Sequence, residues 1–269
     1  SSTSITLYDY IQYHLNTFQH IPIDINLFDR MSIWYRLYDS DIKDKIDEII
    51  KKGELFSYRN FKKENREIRG RLRKEAIAKG VDNINKYESE RYKPPYEKAD
   101  VPDGAYVDGA IANKAVEVLE NIDTSQPFFL AVGFKRPHLP FNAPTKYWDL
   151  YDEGEIQLAE FRTKSKNPVD IAYKGGWEIN SYKMPGIEYN ENEEGLLILP
   201  DDIQRKLIHG YYAATSYIDA QVGKVLAKLK EKGLEKNTII VLWGDHGFHL
   251  GDHSQSVSYT HLRAHETKK

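Results

Sequence analysis

Two short stretches of this 269-residue chain concentrate side chains able to do chemistry. One is Gly244-Asp245-His246-Gly247, directly after the apolar run Thr238–Trp243. An Asp-His pair offers one hard oxygen donor and one imidazole nitrogen, a usable part of a metal shell. Its flanking glycines let the backbone turn sharply and let an anion come close. His249, Asp252 and His253 follow as further candidate ligands. The other stretch is Lys135-Arg136-Pro137-His138, which follows the apolar run Pro127–Phe134. Cationic or potentially cationic side chains beside a rigid proline suit a tetrahedral dianion such as a sulfate or phosphate ester. Each stretch also has a plainer reading, the first as a helix cap beside a surface histidine, the second as a solvated basic loop.

Elements on either side are of the kind that could position such groups. Pro127–Phe134 and Thr238–Trp243 are short, apolar and bounded by turn residues, which predicts buried strands. In open α/β sheets ligands bind beyond the carboxyl ends of the strands, where both stretches fall. Asp201–Lys232 reads as a long helix. Ile203, Leu207, Tyr211, Ala214, Ile218, Val222, Val225 and Leu229 keep helical spacing, Pro200 and two acids open it, lysines close it, and Gly233 stops it. Asp103–Ile122 reads as a second helix on Ile111, Ala115, Val118, Leu119 and Ile122, with Asp103 and Asp108 as candidate N-caps. Strand, long helix and strand together imply a doubly wound α/β sheet with helices on its faces.

The first 99 residues read as helical and polar. Ser40 or Asp41 can cap a helix carrying Ile42, Ile46, Ile49 and Ile50, stopped by Gly53. Lys62–Lys79 is basic and helix-prone, with Ile68, Leu72 and Ile77 available for a narrow buried face; a solvated face and a polyanion-binding surface are both open readings. Arg91–Lys98 reads as an extended connection and Lys135–Pro144 as a loop. Residues 145–200 read as irregular, with an aromatic patch at Tyr147, Trp148, Leu150 and Tyr151, glycine turns at Gly175-Gly176 and Pro185-Gly186, and an acidic Asn190–Glu194. A connection this long fits the wall of a substrate cleft.

With no cysteine, disulfides, thiolate metal sites and a cysteine nucleophile are excluded within these residues. The net charge of −3 gives no reason to expect nucleic acid as a partner. No apolar run approaches the ~20 residues that span a bilayer, and Ser1–Ser4 carries no signal-peptide pattern.

Three segments carry a resemblance. Asp100–Leu119 (DVPDGAYVDGAIANKAVEVL), Pro127–Asp152 (PFFLAVGFKRPHLPFNAPTKYWDLYD) and Gly210–His253 closely resemble the iduronate-2-sulfatase branch of the sulfatases. The resemblance implies an alkaline-phosphatase-like α/β fold, a mostly parallel sheet flanked by helices and incomplete here, and hydrolysis of a sulfate ester of a sugar. It implies a calcium ion held in part by Asp245 and His246. It also implies that His138 contacts the sulfate beside Lys135 and Arg136. Arg136 stands where the family's motif has Lys, which keeps the charge and adds a planar fork. In this family the nucleophile is a formylglycine made from Cys or Ser in a C/S-x-P-x-R motif. No such motif is present, and no early Asp-Asp metal pair is recognisable. Both are therefore expected in a segment upstream, with the whole protein exported to the periplasm, the outside of the cell or the lysosome.

After Gly251-Asp252-His253 the resemblance stops. Ser258 stands near where the family has an active-site Lys, and Ser258–Thr267 (SYTHLRAHET) resembles translated sequencing-adapter sequence. The expected division is a polar helical region over 1–99, a sulfatase catalytic-domain portion over 100–253, and a non-native or disordered tail over 254–269. Two other functions compete. A metal phosphoesterase of the same superfamily would share Asp-His-Gly but needs more His ligands and a Ser or Thr nucleophile. A non-catalytic module would bind sulfated polysaccharide through Lys62–Lys79 and the aromatic loop.

Overall fold

The computed structural model describes residues 61–125, 127–167, 173, 178–188, 190–191, 196–244 and 246–254. The helix expected over 42–52, Asp245, Gly175-Gly176 and the tail from 255 lie outside them.

The centre is a β-α-β unit. Strand β1 (Tyr96–Ala99) pairs in parallel with β2 (Phe141–Pro144), in register from Tyr96 opposite Phe141 to Ala99 opposite Pro144. Helix α3 (Val107–Glu120) lies in the crossover between them. Before it come α1 (Lys63–Ala78) and α2 (Ile84–Ser89), and after β2 the single turn α4 (Thr145–Trp148). A two-residue antiparallel pair, β3 (Asn190–Glu191) with β4 (Leu197–Ile198), leads into α5 (Asp201–Glu231). No helix among the described residues is long and apolar enough to cross a membrane.

Helix α5 follows its sequence pattern closely. Asp201 and Asp202 sit in its first turn and Lys228 and Lys230 in its last, so both ends complement the helix dipole. Gly233 takes φ 70°. Its N–H bonds to the Lys230 carbonyl and that of Leu234 to Leu229, a Schellman closure that only a left-handed residue completes easily. The buried line is Ile203, Leu207, Gly210, Ala214, Tyr217 and Gln221, which keeps the 3.6-residue period more closely than the expected stripe. Tyr211, Ile218, Val222 and Val225 are consequently only half-buried. Gly210 is where α5 meets the sheet: a Cβ there would stand 2.9 Å from Trp148 and 3.0 Å from the Phe141 Cβ.

Several expectations are corrected. Pro127–Phe134 and Thr238–Trp243 form no strand and join no described one, and the second is exposed, with Ile239 93% and Trp243 77% accessible. A run so apolar becomes a strand only when a neighbouring backbone takes its N–H and C=O groups. The strands that do form come from stretches read as a connection and a loop. There Pro95 offers its carbonyl to the Phe141 N–H (2.8 Å), which starts the parallel pairing. Ile77 is exposed, because the buried face of α1 runs through Asn65 and Ala76 with Ile68 and Leu72 between them. Tyr147 and Trp148 are core residues and not a surface patch, whereas Leu150 is exposed.

Buried carboxylates tie these elements together. Glu97 on β1, 1% exposed, accepts from the Phe61 N–H (2.8 Å), the Lys62 N–H (3.2 Å), Asn65 Nδ2 (2.9 Å) and Tyr106 Oη (2.9 Å). It thus caps α1 from another element, where Lys62 offers no side-chain cap. Glu88 is buried and pairs with the more accessible Arg69 and Arg73 at the edge of the basic face of α1.

Candidate active site

The cationic turn grows from the start of β2. The Lys135 backbone N–H donates to Asp108 Oδ1 (2.6 Å), and the His138 N–H returns to the Lys135 carbonyl (3.0 Å). Asp108 is 2% exposed and lies inside the first turn of α3. Neither Asp108 nor Asp103 caps that helix; Tyr106 holds the N-cap position without a side-chain bond. Asp108 instead anchors the turn, a charge-assisted bond of the stronger kind. Asp103 takes the Tyr147 hydroxyl (2.9 Å), Gln221 Nε2 (3.1 Å) and the Lys146 ammonium (2.8 Å). Its carboxyl is held below the usual value: desolvation pushes it up, and the bonds from Lys146, Gln221 and Tyr147 outweigh that.

The packing beneath requires a glycine. Gly109 donates its N–H to Tyr217 Oη (2.6 Å), and that hydroxyl donates to the Asp103 carbonyl (2.9 Å). A Cβ on Gly109 would fall 2.0 Å from the Asp103 carbonyl oxygen. The approach of the Asp103–Ala105 turn and of the Tyr217 hydroxyl to the first turn of α3, which also carries Asp108, depends on this bare backbone.

The three cationic residues differ in setting. Arg136 is buried and donates Nη1 to the His138 carbonyl (3.1 Å), closing the turn from within. Lys135 is half-buried; burial first and the Arg136 charge second lower its pKa, while Asp108 opposes them. An anion beside Lys135 would relieve that desolvation. His138 is exposed, with Nδ1 2.8 Å from the Leu139 carbonyl and 3.5 Å from Glu178 Oε1. The peptide bonds before Pro137 and Pro140 are cis.

From His246 onward the second loop packs beside β2. His246 is exposed, with Nδ1 3.0 Å from the Gly247 carbonyl. Phe248 packs edge-on against Phe141, ring centroids 5.3 Å apart, and joins the cluster that contains Leu139. Leu139 follows His138 directly, and Phe248 lies two residues after His246, so one apolar cluster anchors both loops. Among the described residues no group of three or more His, Asp or Glu side chains is arranged to hold a metal ion. His249, Asp252 and His253 form no such group, and His253 Nδ1 lies against the Thr163 carbonyl (2.8 Å). Sequence reading missed Asp108 and Glu178 as partners of the turn. For Asp108 the available signal was an acid inside an otherwise apolar helix face; for Glu178 there was none.

A parallel β-α-β unit, with an anion-competent turn entering one strand and Phe248 packed beside it, makes this an α/β protein. The chain belongs to the sulfatase family, whose model matches residues 33–269. It is 36% identical over 175 residues to iduronate 2-sulfatase of Mus musculus and 34% identical over 175 residues to that of Homo sapiens. Each match covers 62% of this chain and 30% of the relative, so the chain spans under a third of those proteins. A phosphonate monoester hydrolase from Silicibacter pomeroyi is similar in structure, with TM-score 0.42 and 20% identity, over 68% of this chain and 37% of that one.

Proposed function

We propose that this chain forms the sulfate-binding turn and part of the cation site of a sulfuric ester hydrolase of iduronate-2-sulfatase type, acting on a sulfated sugar. The observation that carries the reading is the Lys135–His138 turn. It is held by a buried carboxylate at its start and a buried guanidinium inside it, and it leaves His138 exposed and Lys135 half-buried. Lys135 and His138 would bind the ester's sulfate oxygens. Arg136 would hold the turn in shape and lend positive potential to the site. A calcium ion, when bound, would withdraw charge from the reacting oxygens. Asp245 and His246 would be two of its ligands. One carboxylate and one imidazole are fewer donors than calcium's six to eight, so oxygen ligands from elsewhere in the whole protein are required. The nucleophile, a formylglycine by family resemblance, would also lie outside these 269 residues.

Hydrolysis of 4-methylumbelliferyl sulfate by the whole protein tests this reading. His138→Ala should lower kcat/KM by about 100-fold or more, in line with loss of one preorganised donor at a developing charge. Activity within about threefold of the parent would overturn it. Faster turnover of the matching phosphate ester would favour a phosphoesterase instead.

A further inference from the structure

Lys62–Lys79 carries eight cations against three acids, in a chain whose net charge is −3. On α1 these charges are sorted by face. Asn65, Ile68, Arg69, Leu72 and Ala76 form its buried or half-buried side. Lys63, Arg66, Gly70, Arg73, Lys74 and Ile77 fall on the opposite side by the helical period, and all are exposed. Glu67 is the one acid at the edge of this row, its carboxylate 3.8 Å from Lys63. Arg66 and Lys74 have no ion-pair partner among the described residues. Gly70 has nothing within 4 Å of where a Cβ would stand, so the middle of the row is low and open.

The row begins beside the cationic turn. The N–H groups of Phe61 and Lys62 are fastened to Glu97, which also takes the Tyr106 hydroxyl. Asp108, two positions after Tyr106, holds the Lys135 N–H. Burial and then the Glu97 charge raise the Tyr106 pKa, and the Arg136 charge opposes them, so Arg136 lies within reach of the same ring. From Lys63 to Ile77 the row extends for about 20 Å along the helix axis. A straight row of solvated lysines and arginines matches a linear polyanion, Arg pairing sulfate or carboxylate groups through its planar fork and Lys as a point charge. No aromatic residue stands on α1 to stack a nucleic-acid base, and Ile77 is the one large apolar side chain on this face, too little to seat in a lipid surface.

We infer that this face of α1 is a second binding site, for the chain of a sulfated polysaccharide one of whose esters enters the Lys135–His138 turn. The inference rests on the anion-site reading of that turn and extends it from a single sulfate to a polymer.

The test is titration of a fluorescein-labelled heparin decasaccharide with the 269-residue chain, followed by anisotropy at about 0.15 M salt, where long-range attraction is screened. The triple variant Lys63→Ala, Arg66→Ala, Lys74→Ala should weaken binding about tenfold, the scale of three exposed ion pairs. An equal loss of charge at scattered exposed positions, Lys86→Ala, Lys230→Ala, Lys236→Ala, should change it by less than about twofold. Glu67→Gln should tighten it by about twofold, and far-UV circular dichroism checks that each variant keeps its helices. Equal losses in the two triple variants overturn the inference. So does an α1 triple variant that binds like the parent, or tighter binding of an oligothymidylate of equal charge. In the whole protein the α1 triple variant should leave 4-methylumbelliferyl sulfate hydrolysis unchanged, because that ester is too short to reach the row. If His138→Ala fails to slow that hydrolysis while the α1 variant still loses heparin, the anion-site reading of the turn falls and the α1 site stands.

Discussion

Replacing two helical glycines by alanine should change stability in opposite directions, and the packing at each position decides the sign. Gly223→Ala lies on α5 with nothing within 4 Å of the new methyl group. Helix propensity and reduced unfolded-state entropy then act unopposed, for a gain of about 0.5–1 kcal/mol. Gly109→Ala on α3 gains no more than that from propensity. Its methyl would stand 2.0 Å from the Asp103 carbonyl oxygen and 2.8 Å from the Tyr217 hydroxyl. The first of these is backbone and cannot swing away. Relief requires the Asp103–Ala105 turn to shift against the first turn of α3, with a cost of about 1–3 kcal/mol for overpacking. The motion also strains the Gly109-to-Tyr217 and Tyr217-to-Asp103 bonds, at about 1 kcal/mol each. The net expectation is a loss of about 2–4 kcal/mol, from the sum of those costs less the propensity gain. Urea unfolding of parent and variants, followed by far-UV circular dichroism, reads both. A Gly109→Ala chain as stable as the parent would refute the packing argument.

Other consequences follow from the same contacts. Glu97→Gln should lower stability by about 2–4 kcal/mol, since an amide nitrogen would confront donors that now share a carboxylate; a change under about 0.5 kcal/mol by urea titration contradicts the capping role. Burial pushes Tyr96 up to about 12 and raises Tyr106 and Tyr217 as well. The unfolded tyrosines lose protons near pH 10 while the folded ones keep theirs, so stability should fall as pH rises through and beyond about 10. Tyr96→Phe should flatten that fall, and an unaltered slope would count against it. The carboxyl of Asp103 is lowered, so its contribution is present above about pH 4 and lost as pH drops through the folded value; Asp103→Asn should remove that part of the acid dependence. The 269-residue chain itself should show no aryl sulfate turnover, because it holds no C/S-x-P-x-R motif. Measurable hydrolysis by the purified chain would defeat that expectation.

What was legible in the sequence was local. Helix α5 announces itself because its period, acidic start, basic end and Gly233 stop all lie within one stretch of chain. Helix α3 shows its apolar face for the same reason, through Ile111, Ala115 and Leu119. The strands were misread because pairing is a relation between distant segments. Tyr96–Ala99 and Phe141–Pro144 are ordinary in composition yet pair with each other. Thr238–Trp243 has strand composition and no described partner. Of the site, the Lys135–His138 turn and the Asp-His-Gly loop were legible as residue types after apolar runs. Asp108, Glu178 and Glu97 were not, because an isolated acid is read as a surface residue until its donors are located. The basic face of α1 was legible as a solvated one, and it is largely exposed; the pairing of Arg69 and Arg73 with the buried Glu88 was not legible.

The central claim is that the turn carrying His138 and the loop carrying Asp245 and His246 converge on one site. The absence of native cysteine makes a direct distance measurement clean. Spin labels on His138→Cys and His246→Cys, both exposed positions, would report it by pulsed electron resonance. His138 lies three positions before Phe141 and His246 two before Phe248, and those two rings are 5.3 Å apart. At about 3.5 Å per residue the chain allows a splayed arrangement near 25 Å, whereas convergence requires roughly 15 Å or less. A narrow distribution at the short distance, lost in urea, is the expected result. A distribution centred at or beyond the splayed distance in the folded chain would contradict the account.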